Sequence, residues 1–211
     1  DHNFTAVFTT LSTPEAQMPK PPNAQRLFIA GPAGRLEAIL ELPAEQEPVG
    51  SAVICHPHPQ HGGTMHNKVA HTLARTFVRL GYATLRFNFR GMGKSTGSYD
   101  DGNGEQADVV AAFNFLKEKN LQTIDLAGYS FGSWVIAQII DKIPADSVIM
   151  VSPPAAMMKF EPASTISNLK LVVTGSRDEY APPDVVEKLV HTWNPSAAFT
   201  MISGADHFFF G

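Results

Sequence analysis

Short apolar runs alternate with amphipathic stretches along most of the chain, and the alternation begins at Arg26. RLFIAG and RLEAILEL repeat with the period of a strand and flank a Gly31–Gly34 turn, which predicts an antiparallel hairpin. SAVIC, from Ser51 to Cys55, is the kind of short apolar run buried on both faces of a sheet. From Asn67 to Leu80, the spacing of Val69, Leu73, Phe77 and Leu80 predicts a helix that Gly81 closes. The series continues with YATLRFN, a helix over Glu105–Lys119 that turns Val109, Phe113 and Leu116 inward, TIDLAG, and a helix from Phe131 to about Asp141. SVIMVS, KLVVTG, a helix after Pro183 and AFTMIS complete it. Buried strands alternating with amphipathic helices predict an α/β fold, a three-layer α/β/α sandwich whose sheet is mostly parallel beyond the N-terminal antiparallel hairpin. Residues 1–25 are polar and interrupted by Pro14, Pro19, Pro21 and Pro22, so an N-terminal arm is expected before a domain over 26–211.

Composition narrows the function. At 211 residues the chain is one domain or at most two, and 44% hydrophobic residues are enough for a sizeable core. A formal charge of −4, with Arg and Lys scattered, offers no field for a nucleic acid. No apolar run reaches the roughly 18 residues of a membrane span. Cys55 is the only cysteine, which excludes an intrachain disulfide and a Cys-based zinc site. It suits a reducing compartment, and a cytoplasmic location is expected. The chain starts at Asp1 rather than Met, which leaves room for a processed leader.

In such a sheet the chemistry gathers where strands end. TIDLAG runs directly into Gly128-Tyr129-Ser130-Phe131-Gly132, a G-x-S-x-G sequence between a strand and a helix. That context predicts a sharp turn that strains the serine backbone and pushes its hydroxyl into the open. A serine hydroxyl needs a base, and the base needs an acid to orient it. Both are expected later in the chain, in the order Ser, Asp or Glu, His. After KLVVTG come Asp178 and Glu179, and after AFTMIS comes His207. Asp178 is favoured over Glu179 for its shorter reach and its offset from the strand, and Asp206 ranks lower because adjacent side chains diverge. Two backbone N–H groups should face the developing oxyanion. Phe131 supplies one. In His56-Pro57-His58-Pro59-Gln60 the prolines have no N–H to give, which leaves His58 first and Gln60 second. His56 is expected to brace this loop from beneath.

These residues, in this order, resemble the α/β-hydrolase superfamily. CHPHPQHGGTMHNKV, LRFNFRGMGKSTGSYDDGNGE, LAGYSFGSWV and GADHFF are similar to one branch, the small cap-poor bacterial hydrolases related to dienelactone hydrolases and simple esterases. The likeness runs from about Arg26 to Gly211. It implies a cofactor-free serine hydrolase of small carboxylic esters, thioesters or lactones, with Ser130, Asp178 and His207 as triad. In many such enzymes the oxyanion loop reads H-G-x-P, and the position of its third residue falls on His58. Relatives carry a second histidine soon after the catalytic one, where this chain has Phe208, Phe209 and Phe210. They also continue into a C-terminal helix, which the domain over 26–211 is expected to lack; a trimmed end, or another segment such as the arm, would account for that surface. Between SVIMVS and KLVVTG, where larger relatives insert a cap, this chain has a short stretch with Met157, Met158 and Phe160 as a candidate apolar substrate wall or as plain core.

Three rival readings carry less. Gly93-Lys94-Ser95 ends like a phosphate-binding loop, but Asn88 stands where the first glycine is required. In the resembled family that stretch is a turn. His56, His58 and His61 spell H-x-H-x-x-H, but Gln60 replaces the aspartate of the binuclear zinc signature, so no metal is expected. A non-catalytic binding protein on the same fold is the alternative from outside enzymology.

Overall fold

The computed structural model describes residues 23–121, 123–160 and 165–210. Among these residues eight strands form one sheet in the order β1-β2-β4-β3-β5-β6-β7-β8. They are β1 (Asn23–Gly31), β2 (Gly34–Leu42), β3 (Gly50–Cys55), β4 (Tyr82–Phe87), β5 (Ile124–Tyr129), β6 (Val148–Val151), β7 (Leu169–Gly175) and β8 (Ala198–Ile202). β1 and β2 form the antiparallel hairpin, β2 meets β4 antiparallel, and every pairing from β4 to β8 is parallel. Four helices pack on the sheet among the described residues: α1 (Lys68–Arg79), α2 (Asn103–Glu118), α3 (Phe131–Ile139) and α4 (Pro183–Trp193).

The strand runs of wholly buried residues follow from this layering. β3, β4, β5 and β6 are buried at every position because helices cover both faces. Helices α2, α3 and α4 share the larger core, through Val109, Phe113, Ile136, Val186 and Trp193. Among the described residues α1 alone covers the other face, placing Ala70, Leu73, Ala74 and Phe77 on Ile54, Tyr129 and Val173. Asn67 starts α1 as its N-cap, accepting the Val69 N–H at 2.9 Å. No helix among the described residues is long and apolar enough to cross a membrane.

Two expectations shift. β1 begins at Asn23, so three residues read as arm pair with β2, Asn23 opposite Leu42. Their side chains are exposed on an edge strand, so no hydrophobic signal marks them. The rest of the expected arm, residues 1–22, lies outside the described residues. α2 starts at Asn103, two residues before the Glu105 expected from periodicity, because the Glu105 carboxylate reaches back to the Gly102 N–H at 2.9 Å and the Asp100 N–H at 3.1 Å.

The GKS-containing turn also finds its role. Gly91, Gly93 and Gly97 all have positive φ, at 73°, 53° and 84°, which lets the chain fold back after β4. The backbone N–H groups of Gly91, Met92, Ser95 and Thr96 donate to backbone carbonyls, and that of Lys94 donates to the Glu37 carboxylate at 2.9 Å. A phosphate would find those donors occupied. Arg90, at the head of the turn, grips Asp108 of α2 through Nε (3.1 Å) and Nη2 (2.8 Å).

Candidate active site

Sheet register brings the functional loops together. Cys55 at the end of β3 pairs with Gly128 in β5, so the His56–Gly63 loop leaves the sheet beside the turn that carries Ser130. In that turn the Ser130 N–H donates to the Val151 carbonyl at 2.9 Å and the residue adopts φ 53°, ψ −117°. A non-glycine residue held there is strained, and the cost is met by the packing around it. Both flanking glycines are required by contact. A Cβ on Gly128 would lie 2.5 Å from the Gly132 carbonyl carbon, and one on Gly132 would lie 2.4 Å from the Cys55 carbonyl oxygen.

Three side chains from three loops then meet. The Ser130 hydroxyl lies 2.9 Å from His207 Nε2. His207 Nδ1 lies 2.9 Å and 3.0 Å from the two carboxylate oxygens of Asp178. A ring nitrogen between two carboxylate oxygens carries the proton, which leaves the Nε2 lone pair to accept from the serine. All three residues are buried, at 8%, 2% and 6% exposure for Ser130, Asp178 and His207. Burial alone would raise the Asp178 pKa, but hydrogen bonds from His207 and from the Ala181 N–H outweigh it and hold the carboxyl below its ordinary value. Asp178 Oδ1 also accepts the Tyr180 and Ala181 N–H groups at 3.0 Å and 2.7 Å, which fixes the carboxylate on its loop. Glu179 is exposed, and Asp206 turns its carboxylate to the Phe208 and Phe210 N–H groups at 3.0 Å and 3.2 Å. Neither touches the imidazole.

The His56–Gly63 loop sorts its candidates too. The Gln60 N–H is taken by His58 Nδ1 at 3.3 Å. The N–H groups of Phe131 and His58 donate to no acceptor among the described residues. The His58 ring sits 4.8 Å from the Phe131 ring and its Nε2 lies 3.2 Å from the Tyr99 hydroxyl. His56 lies beneath, wholly buried, with Nδ1 donating to the Pro57 carbonyl at 2.7 Å and Nε2 accepting the Phe89 N–H at 3.1 Å. Burial holds it neutral, with its pKa lowered to about 4 despite the opposing pull of the Pro57 carbonyl. Its ring therefore bonds to backbone and does not converge with His58 and His61.

The stretch after β6 divides. Met157 is exposed, Met158 is half-buried against the larger core, and Phe160 is buried with its ring 5.1 Å from Trp193. Phe160 is thus core rather than substrate wall, a distinction that an apolar residue in a loop does not reveal by itself. Residues 161–164 of this stretch lie outside the described residues. What sequence reading passed over is the support of His207. The Tyr129 hydroxyl donates to the His207 carbonyl at 2.7 Å, and Lys68 Nζ at the start of α1 donates to the Phe209 carbonyl. The Tyr180 ring lies 4.7 Å from the imidazole. Tyr129 and Tyr180 each stand next to or two residues from a motif residue, which is the only hint the sequence offers of them.

Comparison with known proteins gives the family. The family model described as serine aminopeptidase, S33, matches residues 47–178. An uncharacterized protein of Rickettsia prowazekii is 32% identical over 196 residues, 87% of this chain and 82% of its own. An α/β serine hydrolase homologue from Coxiella burnetii superimposes with a TM-score of 0.83 at 38% identity, covering 92% of each chain. An α/β serine hydrolase without lid from Xanthomonas campestris does so with a TM-score of 0.81 at 32% identity, covering 92% of this chain and 89% of its own. The chain belongs to this family of bacterial α/β serine hydrolases.

Proposed function

We propose that this hydrolase cleaves small carboxylic esters through an acyl-enzyme on Ser130. The observation that carries the reading is the unbroken line of hydrogen bonds from Asp178 through His207 to the Ser130 hydroxyl. Ser130 Oγ attacks the ester carbonyl carbon as its proton passes to His207 Nε2, and the carbonyl π electrons move to the oxygen. Asp178 holds the ring and stabilises the imidazolium. The N–H groups of Phe131 and His58 receive the oxyanion, each contributing about 3 kcal/mol. The tetrahedral species collapses, the leaving alkoxide takes the proton from Nε2, and an alcohol departs. Water then attacks the acyl-serine, gives its proton to His207, and collapse returns that proton to Ser130 Oγ as the acid leaves.

The neighbour described as lacking a lid supports an open site, and the short stretch carrying Met157 and Met158 fits short or medium acyl groups taken with little selectivity. Thioesters and lactones present the same carbonyl. The matching family's description brings in a second class, the amide bond at an N-terminal residue. A panel of p-nitrophenyl esters, a thioester, a lactone and an aminoacyl p-nitroanilide separates these. Ser130→Ala is expected to lower kcat by at least about 10⁴-fold on the best of them and to abolish fluorophosphonate labelling. A wild-type chain that neither labels nor turns over any of them would instead be a binding protein on a hydrolase fold.

A further inference from the structure

Among the described residues, the loop that carries His207 presents a continuous aromatic surface. Tyr180, Phe208 and Phe210 are 39%, 47% and 70% exposed, and Met157 is 68% exposed. The rings touch in series: Tyr180 and Phe208 centroids are 5.9 Å apart and Phe208 and Phe210 are 5.7 Å apart. The Ala156 N–H donates to the Tyr180 carbonyl at 3.0 Å, which brings the Met157 loop alongside. At the inner end, the imidazole lies 4.7 Å from Tyr180 and 5.4 Å from Phe208.

The surface is held in place rather than loosely displayed. Asp178 accepts the Tyr180 N–H, and Asp206 Oδ1 accepts those of Phe208 and Phe210. Lys68 Nζ sits 4.7 Å from the Phe210 ring centroid. Exposed apolar patches of this kind mark binding surfaces, and aromatic rings with few rotatable bonds lose little entropy when a ligand settles on them.

Mechanism decides which part of a substrate meets it. The oxyanion faces the N–H groups of Phe131 and His58, on the β3 side of the site. The leaving oxygen must lie within reach of His207 Nε2, because as the carbonyl carbon–oxygen bond breaks that oxygen takes the proton from the ring. The alcohol half of the ester therefore lies beside His207, whose ring the Tyr180 and Phe208 rings flank.

Building on the ester-hydrolase reading, we propose that Tyr180, Phe208 and Phe210 form the subsite for the alcohol half, and that the enzyme selects esters of aromatic alcohols.

The test compares kcat/KM by pH-stat for benzyl acetate, ethyl acetate and ethyl hexanoate in the wild-type chain, Phe208→Leu and Phe210→Ser. Ratios within each protein cancel general damage to the triad. The benzyl-to-ethyl ratio is expected to fall about fivefold in each variant, while the hexanoate-to-acetate ratio stays within about twofold. An unchanged benzyl-to-ethyl ratio, or a change confined to the acyl series, with Ser130 still labelled by a fluorophosphonate, would overturn the subsite and leave the hydrolase standing. Absence of labelling and of turnover in the wild-type chain would bring down both.

Discussion

Asp125 shows how much one buried residue can bias the molecule. It is 1% exposed at the start of β5, and its Oδ1 has no hydrogen-bond partner among the described residues. Burial first, and the charge of Asp146 second, raise its pKa to about 7. The folded chain thus binds a proton that the unfolded chain releases near 3.8, so this residue's contribution is complete below that pH and is lost as pH rises toward about 7. Asp125→Asn is expected to remove the dependence. Its advantage over wild type should grow from pH 4 to pH 8, reaching at least about 2 °C in Tm, as followed by thermal denaturation across that range. His56 works in the opposite sense. Its pKa is lowered from 6.5 to about 4, so its share is present above the first value and lost as pH falls through the second.

Between elements, the turn after β4 is fastened to α2 by one buried pair. Asp108 is wholly buried and accepts the Arg90 backbone N–H at 3.0 Å as well as the guanidinium. Gly104 in α2 leaves the space that the guanidinium fills, since a Cβ there would lie 1.9 Å from Nη1. Asp108→Ala leaves the largely buried guanidinium with the exposed Asp100 carboxylate at 4.0 Å and is expected to cost about 3 kcal/mol, read as a lowered urea midpoint at unchanged m-value. Nothing in the local pattern of the sequence announces this pair, because Arg90 and Asp108 each sit where a solvated charge would. The strand and helix series was legible because each central strand is a short, mainly apolar run and amphipathic stretches alternate with them. Ser130 and its glycines were legible because close strand–helix approach admits so few side chains. Phe160 and Tyr180 were not: an apolar loop residue looks the same whether it packs inward on Trp193 or lies open beside an imidazole.

At the scale of the whole molecule, the candidate site is a product of sheet order. Ser130 follows β5, Asp178 follows β7 and His207 follows β8, so three strand ends on one side of the sheet set the distances between them. Gly175 at the end of β7 allows that closeness, for a Cβ there would lie 2.3 Å from the Ala205 carbonyl oxygen. The Arg177 N–H donates to the same carbonyl at 2.9 Å. Yet the supports are unequal. β5 and β7 each have a strand on both sides, whereas among the described residues β8 pairs with β7 alone and exposes Met201 and Ile202. Fraying of that outermost strand would carry the imidazole away while serine and aspartate stayed in place, so inactivation should precede melting. In a urea titration, fluorophosphonate reactivity is accordingly expected to disappear at a lower concentration than far-ultraviolet ellipticity. The proposed base would then hang from the part of the sheet expected to let go first.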